Sequence, residues 1–227
     1  MSRNKRSETE DLGGALSRAA GRAQRQSAPS ARSRKESARA AAAAARRLSE
    51  RAAAEGLTDV SYSPLDSPFG PLLAAATARG LVRLAFPEEN VDAVLEGLAR
   101  RLSPRIVEAS RPFETVRREL EGYFAGSRRA FEVALDWSLI GPFGRRVLHA
   151  TAEIPYGGVL SYAEVAAEAG SPRGSRAAGN ALGSNPIPIV IPCHRVLRSG
   201  GALGGYGGGL ERKRYLLNLE GALQGGR

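Results

Sequence analysis

Apolar and polar positions along this 227-residue chain change their spacing several times, and each change marks an element. Residues 1–55 have almost no pattern: Ala, Arg and Ser dominate, aromatic residues are absent and large aliphatics are few. Such a segment cannot bury enough apolar surface to offset its ordering entropy, so it reads as a disordered arm. Its alanine run at 40–45, followed by Arg46, Arg47 and Leu48, has high helix propensity, and a transient helix is expected over 36–54. From Thr58 the texture changes. Residues 60–62, 70–77 and 80–86 read as strands punctuated by Ser-Pro and glycine turns. Val91, Val94, Leu95, Leu98 and Leu102 then hold helical spacing over 91–102, as do Phe113, Val116, Leu120 and Phe124 over 112–124. Residues 131–137 alternate as a strand. The pattern predicts a small α+β domain with no catalytic constellation of its own.

The second half reads differently. A helix is expected over 144–152, with His149 and Trp137 as structural residues, followed by a turn at 155–158. Two short helices over 162–168 and 175–182 are split by Ala169-Gly-Ser-Pro172. Helix, tight glycine turn and a second helix starting with small and basic residues is the layout of a helix-turn-helix, though many helix pairs that bind no DNA share it. The apolar run at 187–191, bracketed by Pro188 and Pro192, predicts a short buried strand that stops at Cys193, because proline supplies no backbone donor to a ladder. Seven of the ten residues 200–209 are glycine, with Tyr206 the single large side chain. This stretch lacks the Gly-Lys-Ser/Thr of a phosphate loop and opens no βαβ unit, which excludes a nucleotide cofactor. It is either a linker or a loop whose backbone must pass close to a ligand. A last helix over 210–220 carries Leu216, Leu217 and Leu219 and ends on the acid Glu220.

Composition narrows the class. One cysteine excludes a disulfide framework and a cysteine-rich zinc site and points to a reducing compartment. The basic start is not followed by the apolar stretch of a signal peptide, and no run nears the roughly 18–20 apolar residues of a membrane span. A soluble, cytoplasmic protein is expected. The net charge of +10 is uneven: 13 Lys/Arg against 6 Asp/Glu in 1–55, 12 against 15 in 56–170, and 8 against 2 in 171–227. A basic C-terminal third favours a polyanionic partner such as nucleic acid, and the basic arm is either merely solvated or adds nonspecific DNA affinity through counterion release. There Cys193, the only cysteine, stands beside His194, one of two histidines. A thiol next to a base suits a nucleophile, whereas a buried structural cysteine is the commoner occurrence; local sequence leaves both open.

The surroundings decide. Ile191-Pro-Cys-His-Arg-Val196, with Ile154-Pro-Tyr-Gly, Ser161-Tyr162, Arg176-Ala-Ala-Gly and Asn185-Pro upstream, resembles the O6-alkylguanine-DNA alkyltransferase family. Downstream the resemblance runs through Gly204-Gly-Tyr206, Gly208-Gly-Leu210, Lys213 and Leu216-Leu-Asn-Leu-Glu220-Gly. It extends loosely to Glu121-Gly-Tyr-Phe-Ala-Gly126 and covers about residues 58 to 222. It implies an α/β (α+β) protein: a basic arm over 1–57, a ribonuclease-H-like domain over 58–139, and a winged helix-turn-helix-like catalytic domain over 140–227. It further implies direct repair, in which O6-alkylguanine, and in some members O4-alkylthymine, is flipped from duplex DNA and its alkyl group moves irreversibly to Cys193.

The resemblance also assigns roles. Glu220 would orient His194, and His194 would deprotonate Cys193 through water, while Asn185 would tie down the active-site turn. Tyr162 would help rotate the nucleotide and donate a proton to the leaving guanine. Arg176 would replace the flipped base in the stack, and Ala177, Ala178 and Gly179 would let their helix press into the minor groove. Tyr206, Gly207 and the backbone of Val196 would meet the base, and Lys213 would sit near the relay. No cofactor, metal or protein partner is implied, and a monomer acting on nucleoid DNA is expected. Gly207 and Gly174-Ser175 depart from the commoner residues of the family. The rival readings are an alkyltransferase-like protein that binds lesions without repairing them, which Cys193 argues against, and a winged-helix regulator with an incidental cysteine.

Overall fold

A computed structural model describes residues 30–223. The expectations for residues 1–29 and 224–227 lie outside them. Helix α1 (Ala31–Ala54) covers and extends the helix expected at 36–54, and the chain divides between Ala45 and Arg46 into two units.

The second unit holds a four-stranded sheet of β1 (Val60–Leu65), β2 (Leu72–Thr77), β3 (Gly80–Ala85) and β4 (Ile106–Glu108), in the order β3-β2-β1-β4. β1 and β2 pair antiparallel with Tyr62 opposite Ala75, β2 and β3 antiparallel with Leu73 opposite Ala85, and β4 runs parallel to β1. β2 is rich in alanine because both its faces are covered. Ala75 packs with Val60, Val82 and Leu98 on one side, and Ala74 with Leu65, Leu72 and Leu84 on the other. Helix α2 (Val91–Arg101) supplies Leu98 and is capped where Asn90 Oδ1 accepts from Ala93 N at 2.9 Å, so its start follows from one side chain. A 3₁₀ turn (Arg111–Phe113) leads into helix α3 (Glu114–Phe124), which buries Val116, Leu120 and Tyr123.

The strand expected over 131–137 is reduced to a single bridge. Leu81 donates to Ala134 O and accepts from Asp136 N, each at 2.8 Å, and no further ladder forms. This close approach also explains Gly80: at φ 131°, a Cβ there would lie 2.2 Å from Ala134 O. β4 carried no signal, since three partly exposed residues show no readable alternation.

Helix α4 (Pro142–Ala152) opens on proline, whose missing N–H would be unpaired there anyway. His149 on α4 stacks on Trp137 with ring centroids 3.9 Å apart, as a structural pair would. β5 (Leu160–Ser161) leads into α5 (Tyr162–Glu168), fixed by a capping box between Ser161 and Glu164. Helix α6 (Ser175–Gly183) completes the helix-turn-helix, and β6 (Val196–Leu197) lies parallel to β5. Helix α7 (Leu210–Leu219) ends at Glu220. One apolar core joins the sheet to the helices that follow it, with Leu84, Phe113 and Leu120 in the same cluster as Val147, Ile187, Cys193 and Leu216.

Candidate active site

Residues 187–191 are buried as expected but form no strand. Three prolines, at 186, 188 and 192, strip the segment of donors, and the Asn185 side chain replaces a ladder partner. Its Nδ2 donates to Ile191 O at 2.9 Å, and its Oδ1 accepts from Ile187 N at 3.0 Å. Ile191 N closes a turn onto Ile187 O, and Ile189 is held at φ 74°, a left-handed conformation that a β-branched residue adopts only when its surroundings impose it. The chain then enters a 3₁₀ turn, Cys193–Arg195, all three residues buried. Leaving extended geometry at Cys193 releases Cys193 and His194 from the alternating faces of a strand.

Cys193 Sγ accepts from Asn185 Nδ2 at 3.2 Å. Burial pushes its thiol up to about 11, against the opposing pull of Asn185 and the Lys213 cation, so the resting group is protonated at neutral pH. His194 is fully buried. Its Nε2 meets Glu220 Oε1 at 2.9 Å, and burial lowers its pKa although Glu220 pulls the other way. A neutral imidazole whose Nε2–H faces a carboxylate leaves Nδ1 as its basic atom. That Nδ1 has no partner among the described residues.

Glu220 sits where the end of α7 delivers it into this cluster. Arg195 grips it with both arms of its guanidinium, Nε to Oε2 at 2.8 Å and Nη2 to Oε1 at 2.9 Å. Tyr123 Oη donates to Oε1 at 2.6 Å, and Gly157 N donates to Oε2 at 3.2 Å. Burial alone would raise this carboxyl; the donors from His194, Arg195 and Tyr123 hold it at about 2. Arg195 and Tyr123 were not expected from sequence. Arg195 lay inside the signature that singled out its neighbours. Tyr123 is a contact from the first domain, read from sequence as having no catalytic constellation of its own; it crosses 97 residues of sequence to reach the carboxylate.

Lys213 is buried nearby, donating from Nζ to Val196 O at 2.5 Å and Gly205 O at 3.3 Å. Desolvation lowers it to about 8, with the nearby Cys193 opposing. The carbonyl of Val196 is thereby engaged, and Val196 lies buried against β5 rather than in the cleft.

A cleft of about 530 Å³ opens onto Cys193, lined among others by Tyr162, Arg176, Gly179, Tyr206 and Gly207. Tyr162 donates to Gly205 O at 3.2 Å; burial and then Cys193 raise its pKa, so it stays a proton donor. Gly204 is at φ 65°, and a Cβ there would stand 2.9 Å from Tyr162 Oη, which accounts for one glycine of the rich loop. Tyr206 packs edge-on to Phe86 and His194, and its buried hydroxyl also lacks a partner among the described residues. Arg176 is exposed and lines the cleft, Ala177 is exposed beside it, Ala178 is buried in the core, and a Cβ at Gly179 would lie 3.7 Å from the Tyr162 ring. The site therefore brings together every residue predicted for it except Ala177 and Ala178, which flank the cleft on α6, and Val196, which braces Lys213.

Two family models match: the DNA binding domain of 6-O-methylguanine DNA methyltransferase over residues 142–222 and its ribonuclease-like domain over 60–137. A methylated-DNA–protein-cysteine methyltransferase of Mycolicibacterium paratuberculosis is 41% identical over 162 residues, covering 71% of this chain and 92% of the relative. One from Methanosarcina acetivorans is 40% identical, covering 71% and 98%. Among solved structures, the Mycobacterium tuberculosis O6-methylguanine methyltransferase superposes with a TM-score of 0.61 at 39% identity, covering 71% of this chain and 92% of its own. The M. tuberculosis OGT in complex with DNA gives 0.60 at 39%, covering 70% and 92%.

Proposed function

The chain belongs to the methylated-DNA–protein-cysteine methyltransferase family, and on that premise we propose how its residues carry out the repair. It is a DNA-repair methyltransferase. Cys193 Sγ attacks the alkyl carbon on guanine O6 of a base flipped from the duplex. The S–C bond forms, the C–O6 bond breaks and the electron pair stays on the guanine, which takes a proton from Tyr162; Tyr162 is reprotonated and His194 gives up the thiol proton through solvent. The product thioether has no activated bond to reverse, so each molecule reacts once.

The observation that carries this reading is a pair of unpartnered buried atoms, one on the residue next to Cys193 and one on a residue that lines the same cleft. Only three buried side-chain N or O atoms lack a partner among the described residues, and two are His194 Nδ1 and Tyr206 Oη. Nδ1 takes the thiol proton, directly or through water, and Tyr206 Oη meets the flipped base. The thiol near 11 requires such a base, and the lowered pKa of His194 keeps it free to accept. Glu220, clamped by Arg195 and Tyr123, fixes the ring; Asn185 holds the turn; Lys213 favours the developing thiolate. Arg176 fills the vacated stack, and the small residues of α6 suit a shallow groove contact that favours lesion over sequence. The protein acts as a monomer on duplex DNA carrying O6-alkylguanine, in the cytoplasm. Among the described residues no helix is long and apolar enough to cross a membrane.

Incubation with duplex carrying O6-methylguanine adds one methyl mass to the peptide containing Cys193, and Cys193→Ala abolishes it. Lesion binding by the intact protein with no such mass shift would overturn the assignment in favour of non-enzymatic recognition.

A further inference from the structure

Helix α1 takes no part in the site: the family matches begin at residue 60, and no residue of the helix is buried. Within the unit that ends at Ala45, three of its four cations share a face: Arg32, Lys35 and Arg39 fall at i, i+3 and i+7. The opposite face carries Arg34 with Ala41, Ala44 and Ala45. From Arg32 to Arg39 this basic stripe spans about 10 Å of helix axis, along which each DNA strand offers a phosphate about every 3.4 Å. Glu36 pairs with Arg32 at 3.1 Å, but both side chains are exposed, and such a pair is weak enough for a phosphate to displace it. A face of alanines interrupted by Arg34 lacks the bulky aromatic and aliphatic side chains that hold an amphipathic helix in a bilayer interface.

We propose that the basic face of α1 is an auxiliary, sequence-independent DNA-binding surface that grips duplex phosphates in addition to the helix-turn-helix. This rests on the reading of the chain as a DNA-acting protein. Its contribution is electrostatic and therefore visible in the salt dependence of affinity. Removing one cation that neutralises a phosphate lowers the slope of log K against log salt by about 0.9, so the triple variant Arg32→Gln, Lys35→Gln, Arg39→Gln lowers it by about 2 to 3. The advantage of the unmodified protein then shrinks by up to ~40-fold between about 50 and 200 mM salt.

The test is fluorescence anisotropy with a long undamaged duplex, unmodified protein against the triple variant, across that salt range. All three substitutions lie in the unit that ends at Ala45, so the folded unit is untouched. Methyl transfer to Cys193 from a short lesion duplex is measured in parallel and should be equal in the two proteins. Parallel slopes with transfer intact would overturn the proposal, as would a variant whose only deficit is in binding anionic phosphatidylserine vesicles. Loss of transfer in both proteins would instead count against the repair reading.

Discussion

Tyr123→Phe isolates one hydroxyl at the centre of the relay. The ring keeps its packing against Phe124, Phe131 and Tyr156, while the donor to Glu220 Oε1 at 2.6 Å disappears. A hydrogen bond to a charged acceptor contributes about 1.5–3 kcal/mol. Glu220 retains His194, both arms of Arg195 and Gly157 N, which places the loss at the lower end, about 1.5–2 kcal/mol. For a unit of this size that lowers Tm by roughly 3–8 °C. The kinetic effect is more diagnostic. Oε1, shared among Tyr123, His194 and Arg195, is a weakened acceptor; with one donor gone it attracts the imidazolium more strongly, and the pKa of His194 rises. The other titratable or charged groups around that ring, Arg195, Lys213, Cys193 and Tyr206, are unchanged. Single-turnover methyl transfer from a lesion duplex, followed by rapid quench across pH, should then show an alkaline plateau near that of the unmodified protein and an acid limb displaced to higher pH. A variant slowed by one factor at every pH, with the limb unmoved, would refute the electrostatic role and leave Tyr123 a strut between the two halves of the core.

Arg176→Ala should slow transfer from duplex roughly 10–100-fold, the equivalent of the few kcal/mol needed to unstack a base, while sparing free O6-alkylguanine; equal losses on both substrates would count against a flipping role. Gly157 stands at φ 76° with the position of a Cβ 2.9 Å from Glu220 O, so Gly157→Ala should destabilise by about 1–3 kcal/mol in urea titration and slow transfer by shifting the carboxylate. Acid should weaken the fold in two windows. His194 is lowered from 6.5 and Glu220 from 4.5 to about 2, so in both windows the unfolded chain binds more protons and stability falls with pH, first below the ordinary histidine range and then between 4.5 and 2. Urea midpoints across pH check this, and Glu220→Gln should flatten the lower window.

Sequence periodicity located most elements because their burial is one-sided. Val91 to Leu102 and Phe113 to Phe124 each place apolar residues on a single face, and α2 and α3 lie where that spacing puts them. It failed where burial is complete or tertiary. Residues 187–191 are apolar on every side because the core surrounds them, and a run without alternation does not distinguish a strand from a proline-locked turn. Residues 131–137 alternate properly, but their backbone meets the sheet in a single bridge, Leu81 beside Leu135, so no ladder forms. In the site, Cys193, His194 and the cleft residues were legible from the motifs, but Arg195 was passed over inside the signature because its partner, Glu220, is 25 residues away. Tyr123 was not legible, because its role depends on α3 bringing it against the end of α7, a juxtaposition that no local spacing encodes.

The charges of the buried cluster show why the clamp on Glu220 matters. At rest Arg195 and Glu220 cancel, His194 is neutral, Cys193 is a thiol and Lys213 supplies the one surplus positive charge. Moving the thiol proton to His194 creates an anion and a cation inside the same low-dielectric space, so the net charge does not change and no ion has to be drawn from water. Were Glu220 unclamped, its full charge would fall on His194, hold the imidazole protonated and remove the base before substrate arrived. Arg195 and Tyr123 divide that charge among several donors, leaving enough to orient the ring and too little to fill Nδ1. The pull on the thiolate then comes from Lys213 and Asn185, neither of which bonds His194, so it assists ionisation without tying up the proton acceptor.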